Sequence, residues 1–134
     1  MIVRSLDQTR GTERELHTAN GDWVSRRLLL HRESVGFSFH ETILYAGHET
    51  TMWYKNHVEA VLCVGGEGEL ENRETGEVNP IRDGMMYALN GHERNLVRAH
   101  TDLRMICVFT PPLTGREDHD ADGTYPLIEE DTQD

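Results

Sequence analysis

The chain has 134 residues, enough for one domain around a single core and too few for two. Its 24 Asp and Glu outnumber 13 Lys and Arg, and the formal charge of -11 at pH 7 argues against nucleic acid or an anionic membrane surface as a partner. The opening MIVRSLDQTR lacks the apolar run of a signal peptide, and no later stretch approaches the roughly 20 apolar residues of a membrane helix, so a cytoplasmic location is expected. Twelve of the basic residues are Arg and Lys55 is the one lysine. An acidic, lysine-poor surface suits a salty or crowded cytoplasm, and a skewed genomic base composition would give the same pattern.

The first twenty residues are polar and weakly patterned, apart from Ile2 and Val3, which open a candidate short strand. From Val24 onward short apolar stretches recur: VSRRLLL, GFSFHETILYAG, MWYKNHVEAVLCVGGEGEL, MMYALNGH and LRMICVFTPP. Gly36, Gly47, Gly65, Gly66, Gly76, Gly84 and Gly91 fall between them, where turns call for positive φ. No stretch sustains a helical period, so helix should be scarce. Many short strands in one small domain predict an all-β sandwich or barrel. Cys63 and Cys107 both sit in apolar strand contexts and are expected to be buried thiols, not a disulfide. After Thr110, PPLTGREDHDADGTYP is rich in Pro, Gly and charge and reads as a surface loop folding over a pocket mouth, followed by a frayed acidic end, EEDTQD. No repeat or linker marks a second domain, so residues 1–134 are taken as one unit in which 111–134 form a covering segment.

The stretch most informative for chemistry runs from Tyr54 to Gly66. A period of two puts His57, Glu59, Val61 and Cys63 on one face, so a carboxylate lies on an otherwise apolar strand. Buried and unpaired it would be costly, and it must meet a cation, a metal or a hydrogen-bond donor unless it faces solvent. Glu59 is followed by six residues and then Gly66, which resembles the second half of the first cupin motif, with the usual His-x-His pair reduced to His57. Asp83-Gly84-Met85-Met86-Tyr87 resembles the second cupin motif, with Tyr87 where a metal-binding His usually stands. In that order the two motifs imply a cupin, a double-stranded β-helix (jelly-roll) barrel, with altered ligands.

A closer resemblance covers most of the chain. GDWVSRRLLL, GFSFHET, WYKNHVEAVLCVGGEGE, TGEV, MYALNGHERN and above all CVFTPPLTGREDHDADGTYP are similar to the ectoine synthase family. The resemblance implies a lyase that closes N-γ-acetyl-L-2,4-diaminobutyrate into the cyclic compatible solute ectoine with loss of water, serving osmotic-stress protection. It implies iron(II) held by Glu59, Tyr87 and the residue at position 95, where the family has His and this chain has Asn95. His92, nearby, is a candidate substitute, or else a surface turn residue. The resemblance further implies substrate contacts from Trp23, Ser25, Arg27, Thr42, Cys107 and Phe109, and catalytic roles for Tyr54, Glu117 and His119. Read without it, the aromatic residues are equally good core residues and Glu117 and His119 are ordinary loop charges. Arg27 has its own rationale, since a planar guanidinium binds a carboxylate bidentately. The family resemblance also implies a homodimer. The competing reading is a cupin that binds such a ligand without catalysis.

Overall fold

The structure, a computed structural model, describes residues 1–115 and 123–125. Strands account for nearly all of its regular structure. They are β1 (Glu15–His17), β2 (Trp23–Leu29), β3 (Ser38–Leu44), β4 (Glu49–Met52) and β5 (Val58–Gly65), then β6 (Glu67–Asn72), β7 (Val78–Arg82), β8 (Met86–Leu89), β9 (Asn95–Ala99) and β10 (Leu103–Thr110). Helix among the described residues is confined to two 3₁₀ turns, at Asp7–Thr9 and His31–Glu33.

Two antiparallel sheets result, a six-stranded one ordered β1-β2-β3-β10-β5-β8 and a four-stranded one ordered β4-β9-β6-β7. After β3 the chain passes repeatedly from one sheet to the other: β4 joins the second, β5 the first, β6 and β7 the second, β8 the first, β9 the second and β10 the first. That winding is the expected double-stranded β-helix. Strand alternation supplies its reason. In β5, Glu59, Val61 and Cys63 are buried while Ala60 and Leu62 are exposed, and in β10 Leu103, Met105, Cys107 and Phe109 are the buried set. Both cysteines are buried and free, as expected.

Three local expectations are corrected. Ile2 and Val3 form no strand and are exposed; β1 occupies the sheet edge beside β2, and residue 4 anchors the N-terminal segment through its guanidinium, with Arg4 donating to the Leu28 carbonyl and to Glu33. Gly65 and Gly91 do not adopt positive φ, whereas Gly36, Gly47, Gly66, Gly76 and Gly84 do. Gly66 matters most, because at φ 92° a methyl group there would run into the Asp102 carbonyl. Finally, the described residues after Thr110 do not all lie at the surface. Leu113 and Thr114 are buried, the Leu113 amide donates to Ser38 Oγ at 3.1 Å, and the Trp53 amide donates to the Gly123 carbonyl at 3.0 Å. Residues 116–122 and 126–134 lie outside the described residues.

The outer face of the six-stranded sheet carries a run of ion pairs, from Glu15 to Arg26 (2.8 Å), Arg26 to Glu41 (3.2 Å) and Glu41 to Arg104 (2.6 Å). Arg26 and Glu41 are themselves buried, so each charge is matched where solvent is withheld.

Candidate active site

Pairing register lays the inward side chains of the six-stranded sheet out in rows. Ser25, Thr42, Met105 and Cys63 form one; Arg27, His40, Cys107, Val61 and Tyr87 form the next; Ser38, Phe109, Glu59 and Leu89 form a third. Facing them, Met52 and Val97 come from the four-stranded sheet, and Tyr54 and Tyr125 from connecting segments. The cavity between the sheets holds about 410 Å³ of empty space, counting its open mouth. Of the residues singled out in the sequence, Trp23, Thr42, Tyr54, Glu59, Tyr87, Cys107 and Phe109 all line it.

Ser25 and Arg27 lie just behind that wall. Arg27 is fully buried, and its Nε donates to Ser25 Oγ at 3.3 Å while a terminal nitrogen donates to the Gly115 carbonyl at 3.1 Å. Phe109 is the hub of the aromatic wall, with ring centroids 5.2 Å from Tyr54, 5.3 Å from Tyr125 and 5.4 Å from His40. Tyr54 and Tyr125 stack at 5.2 Å with 14° between their planes.

Burial dominates the electrostatics. Desolvation pushes the Glu59 carboxyl up from its ordinary 4.5 to about 8, and a hydrogen bond with Cys107 offsets only part of the effect. Glu59 Oε1 is buried and, among the described residues, finds no hydrogen-bond partner. The exposed-edge alternative for this carboxylate is therefore excluded. Burial, with Glu59 nearby, also raises the Tyr87 hydroxyl and the Tyr54 hydroxyl well above 10, so without a metal ion both are held protonated.

Asn95 is buried on β9, two residues from the pocket-lining Val97 and therefore on the same inward face, but outside the cavity lining itself. Its amide nitrogen donates to the Glu93 carbonyl at 2.9 Å, leaving the amide oxygen, an acceptor, as the atom whose lone pairs remain on offer. His92 takes the turn role: its φ is 58°, its Nδ1 lies 2.7 Å from the Tyr54 carbonyl, and its own carbonyl accepts from Trp53 Nε1. Glu117 and His119 fall outside the described residues.

A pocket of this composition in a barrel of this winding can be set beside known proteins. The family model described as ectoine synthase matches residues 1–129. The chain belongs to the ectoine synthase family. A curated relative, L-ectoine synthase of Thermobifida fusca (strain YX), is 60% identical over 134 residues, covering 100% of this chain and 98% of the relative. The crystal structure of ectoine synthase from P. lautus is 53% identical, covers 99% of this chain and 94% of that one, and superposes with a TM-score of 0.85. A cupin domain of an XRE family transcriptional regulator from Enterobacter cloacae, 18% identical with a TM-score of 0.57, covers 68% of this chain and 98% of that one and shares the fold alone.

Several residues of the pocket were not singled out in the sequence. Leu44, Thr50, Met52, Val97 and Met105 line it from inward strand positions, and periodicity alone does not tell a pocket wall from a core. Tyr125 was legible only as part of the DGTYP segment; it reaches the pocket because the backbone around Gly123–Tyr125 is bound to Trp53 and Asn56.

Proposed function

We propose that this chain is a hydro-lyase, an ectoine synthase that cyclises N-γ-acetyl-L-2,4-diaminobutyrate in this cavity. The observation that carries the reading is the convergence, in one cavity of a family member, of a buried carboxylate, protonated tyrosines and an aromatic wall, beside a buried arginine. The α-amino nitrogen attacks the acetyl carbonyl carbon, a C–N bond forms, and the carbonyl oxygen leaves as water, giving the six-membered ring. Arg27 binds the substrate carboxylate in this account, with Ser25 fixing its guanidinium. Trp23, Tyr54 and Phe109 hold the flexible chain folded so that amine and carbonyl meet, an arrangement that supplies the effective concentration the reaction needs. The Tyr54 hydroxyl, protonated throughout, donates toward the departing oxygen. Glu117 and His119 are assigned the remaining proton transfers, from the amine and to the leaving hydroxyl.

Glu59, Tyr87 and Asn95 are assigned to an iron(II) ion. The fit rests on chemistry: an orphaned, buried carboxylate oxygen beside a tyrosine hydroxyl whose hydrogen-bond acceptor is the Met105 sulfur at 3.9 Å offers hard oxygen donors that suit such a cation. Among the described residues no three His, Cys, Asp or Glu converge on a common point, so the site relies on this mixed oxygen set. When bound, the ion supplies a Lewis acid for the amide carbonyl. Asn95→His should raise both the iron bound per chain and turnover; no change in either would place residue 95 outside the coordination.

The same reading places the enzyme in the cytoplasm, supplying a compatible solute under osmotic stress. Two buried free thiols suit a reducing compartment, and a charge of -11 disfavours nucleic acid as a partner. No helix among the described residues is long and apolar enough to cross a membrane. A homodimer is supported by the outer face of β10, β5 and β8, where Ile106, Leu62 and Met86 align in one row and Val108, Ala60 and Ala88 in the next. The deciding test of the proposal as a whole is formation of ectoine by the purified chain. Tight binding of the substrate without turnover would favour the non-catalytic cupin instead.

A further inference from the structure

One buried polar atom beside the pocket has no task in the chemistry described above. His40 is 1% exposed, and among the described residues its Nε2 finds no hydrogen-bond partner. Such a group is costly to keep and natural structures seldom leave it idle. His40 points inward on β3, on the face that carries Thr42 and Leu44, both of which line the cavity, and like Arg27 it lies just behind that lining. Arg27 is its direct partner on one neighbouring strand and Cys107 on the other, and the Phe109 ring lies 5.4 Å away. Burial, and then the Arg27 charge, hold the imidazole well below its ordinary 6.5, so the ring is neutral and one nitrogen presents a lone pair.

The substrate fits this pair of neighbours. Its carboxylate and its amino group sit on the same carbon, so with the carboxylate on Arg27 the amino group falls within reach of the side chains directly beside Arg27. Opposed residues on adjacent antiparallel strands bring their Cβ atoms to roughly 4.5–5.5 Å. His40 is that neighbour, and it offers an acceptor where the amine offers a donor. We propose that His40 Nε2 accepts a hydrogen bond from the α-amino group of the substrate and turns the nitrogen lone pair toward the acetyl carbonyl. The proposal rests on the synthase reading and on Arg27 as carboxylate partner. It makes His40 a determinant of specificity for 2-amino acids, since a ligand without the amino group would leave the lone pair unanswered.

Calorimetric binding to the full chain tests this with two ligands, the substrate and 4-acetamidobutyrate, which keeps the carboxylate and acetamide and lacks the amino group. His40→Leu should weaken substrate binding about tenfold or more and leave 4-acetamidobutyrate within about twofold. His40→Gln, which restores an acceptor, should recover most of the loss. Equal losses for both ligands would reduce His40 to a packing residue and overturn the proposal, and so would no loss for either. Should His40→Leu not fold, His40→Phe, which keeps a ring against Phe109, takes its place. Failure of the parent reading looks different: a wild-type chain that binds the substrate but forms no ectoine overturns the synthase assignment while the ligand comparison still decides His40. A wild-type chain that binds neither compound overturns both.

Discussion

Glu59 concentrates the physics of the site in one side chain. It stands on a strand whose other inward residues are Val61 and Cys63, and the barrel withholds water from it without supplying a full set of donors. Its pKa of about 8, against 4.5 when exposed, has a signed consequence. A carboxyl raised on folding stabilises the folded state most below about pH 4.5, and that contribution is lost as the pH climbs through 8. Glutamine, neutral at every pH, has no such loss. Stripped of metal, Glu59→Gln should therefore melt above the wild type at pH 8.5, by several degrees, with the gap closing toward pH 5. A gap that stays constant across this range would contradict burial as the cause. The sequence shows the anomaly, a carboxylate at an apolar position, but not its resolution, because the neighbours that bury it and bond it, Phe109, Leu89 and Cys107, come from strands remote in sequence.

At the scale of elements, the turn joining β5 to β6 shows how a glycine can hold a barrel together. Gly66 takes positive φ and passes against the Asp102 carbonyl, just before β10 begins, so it sets how closely the two hairpin ends approach. Gly66→Ala meets both backbone strain and a collision with main chain. It should destabilise the protein by about 3 kcal/mol or more in denaturant unfolding. Gly36→Ala, with open space around it, should cost about 1 kcal/mol. Near-equal losses would mean the close approach is relieved elsewhere. The strands themselves were legible because alternation survives in short windows, as in β5 and β10. Gly65 and Gly91 were misread because glycine permits positive φ without requiring it. Ile2 and Val3 were misread because two apolar residues do not make a strand when the adjoining sheet edge is already taken by Glu15–His17.

For the whole molecule, the two faces of the six-stranded sheet divide the work. Its inner face builds the pocket. Part of the outer face is fastened by the Glu15–Arg26–Glu41–Arg104 run, and part is the apolar grid around Leu62 and Met86, which are 43% and 63% exposed. In the proposed homodimer a second copy would cover this exposed grid. Sedimentation should find a dimer in the wild type and a monomer for Leu62→Arg, whose position points away from the pocket; a monomeric wild type would contradict this use of the face. What the sequence could not convey at this scale is which inward residues bound empty space. Met52, Val97 and Met105 look like core, and only the closure of two sheets around them makes them pocket.

The measurement that tests the account most directly is conversion of N-γ-acetyl-L-2,4-diaminobutyrate by the purified protein, with iron(II) supplied anaerobically and a chelator in parallel. With iron, one ectoine should form for each substrate molecule consumed, and with chelator turnover should be small. A folded protein that binds the substrate yet forms no ectoine with iron present would contradict it.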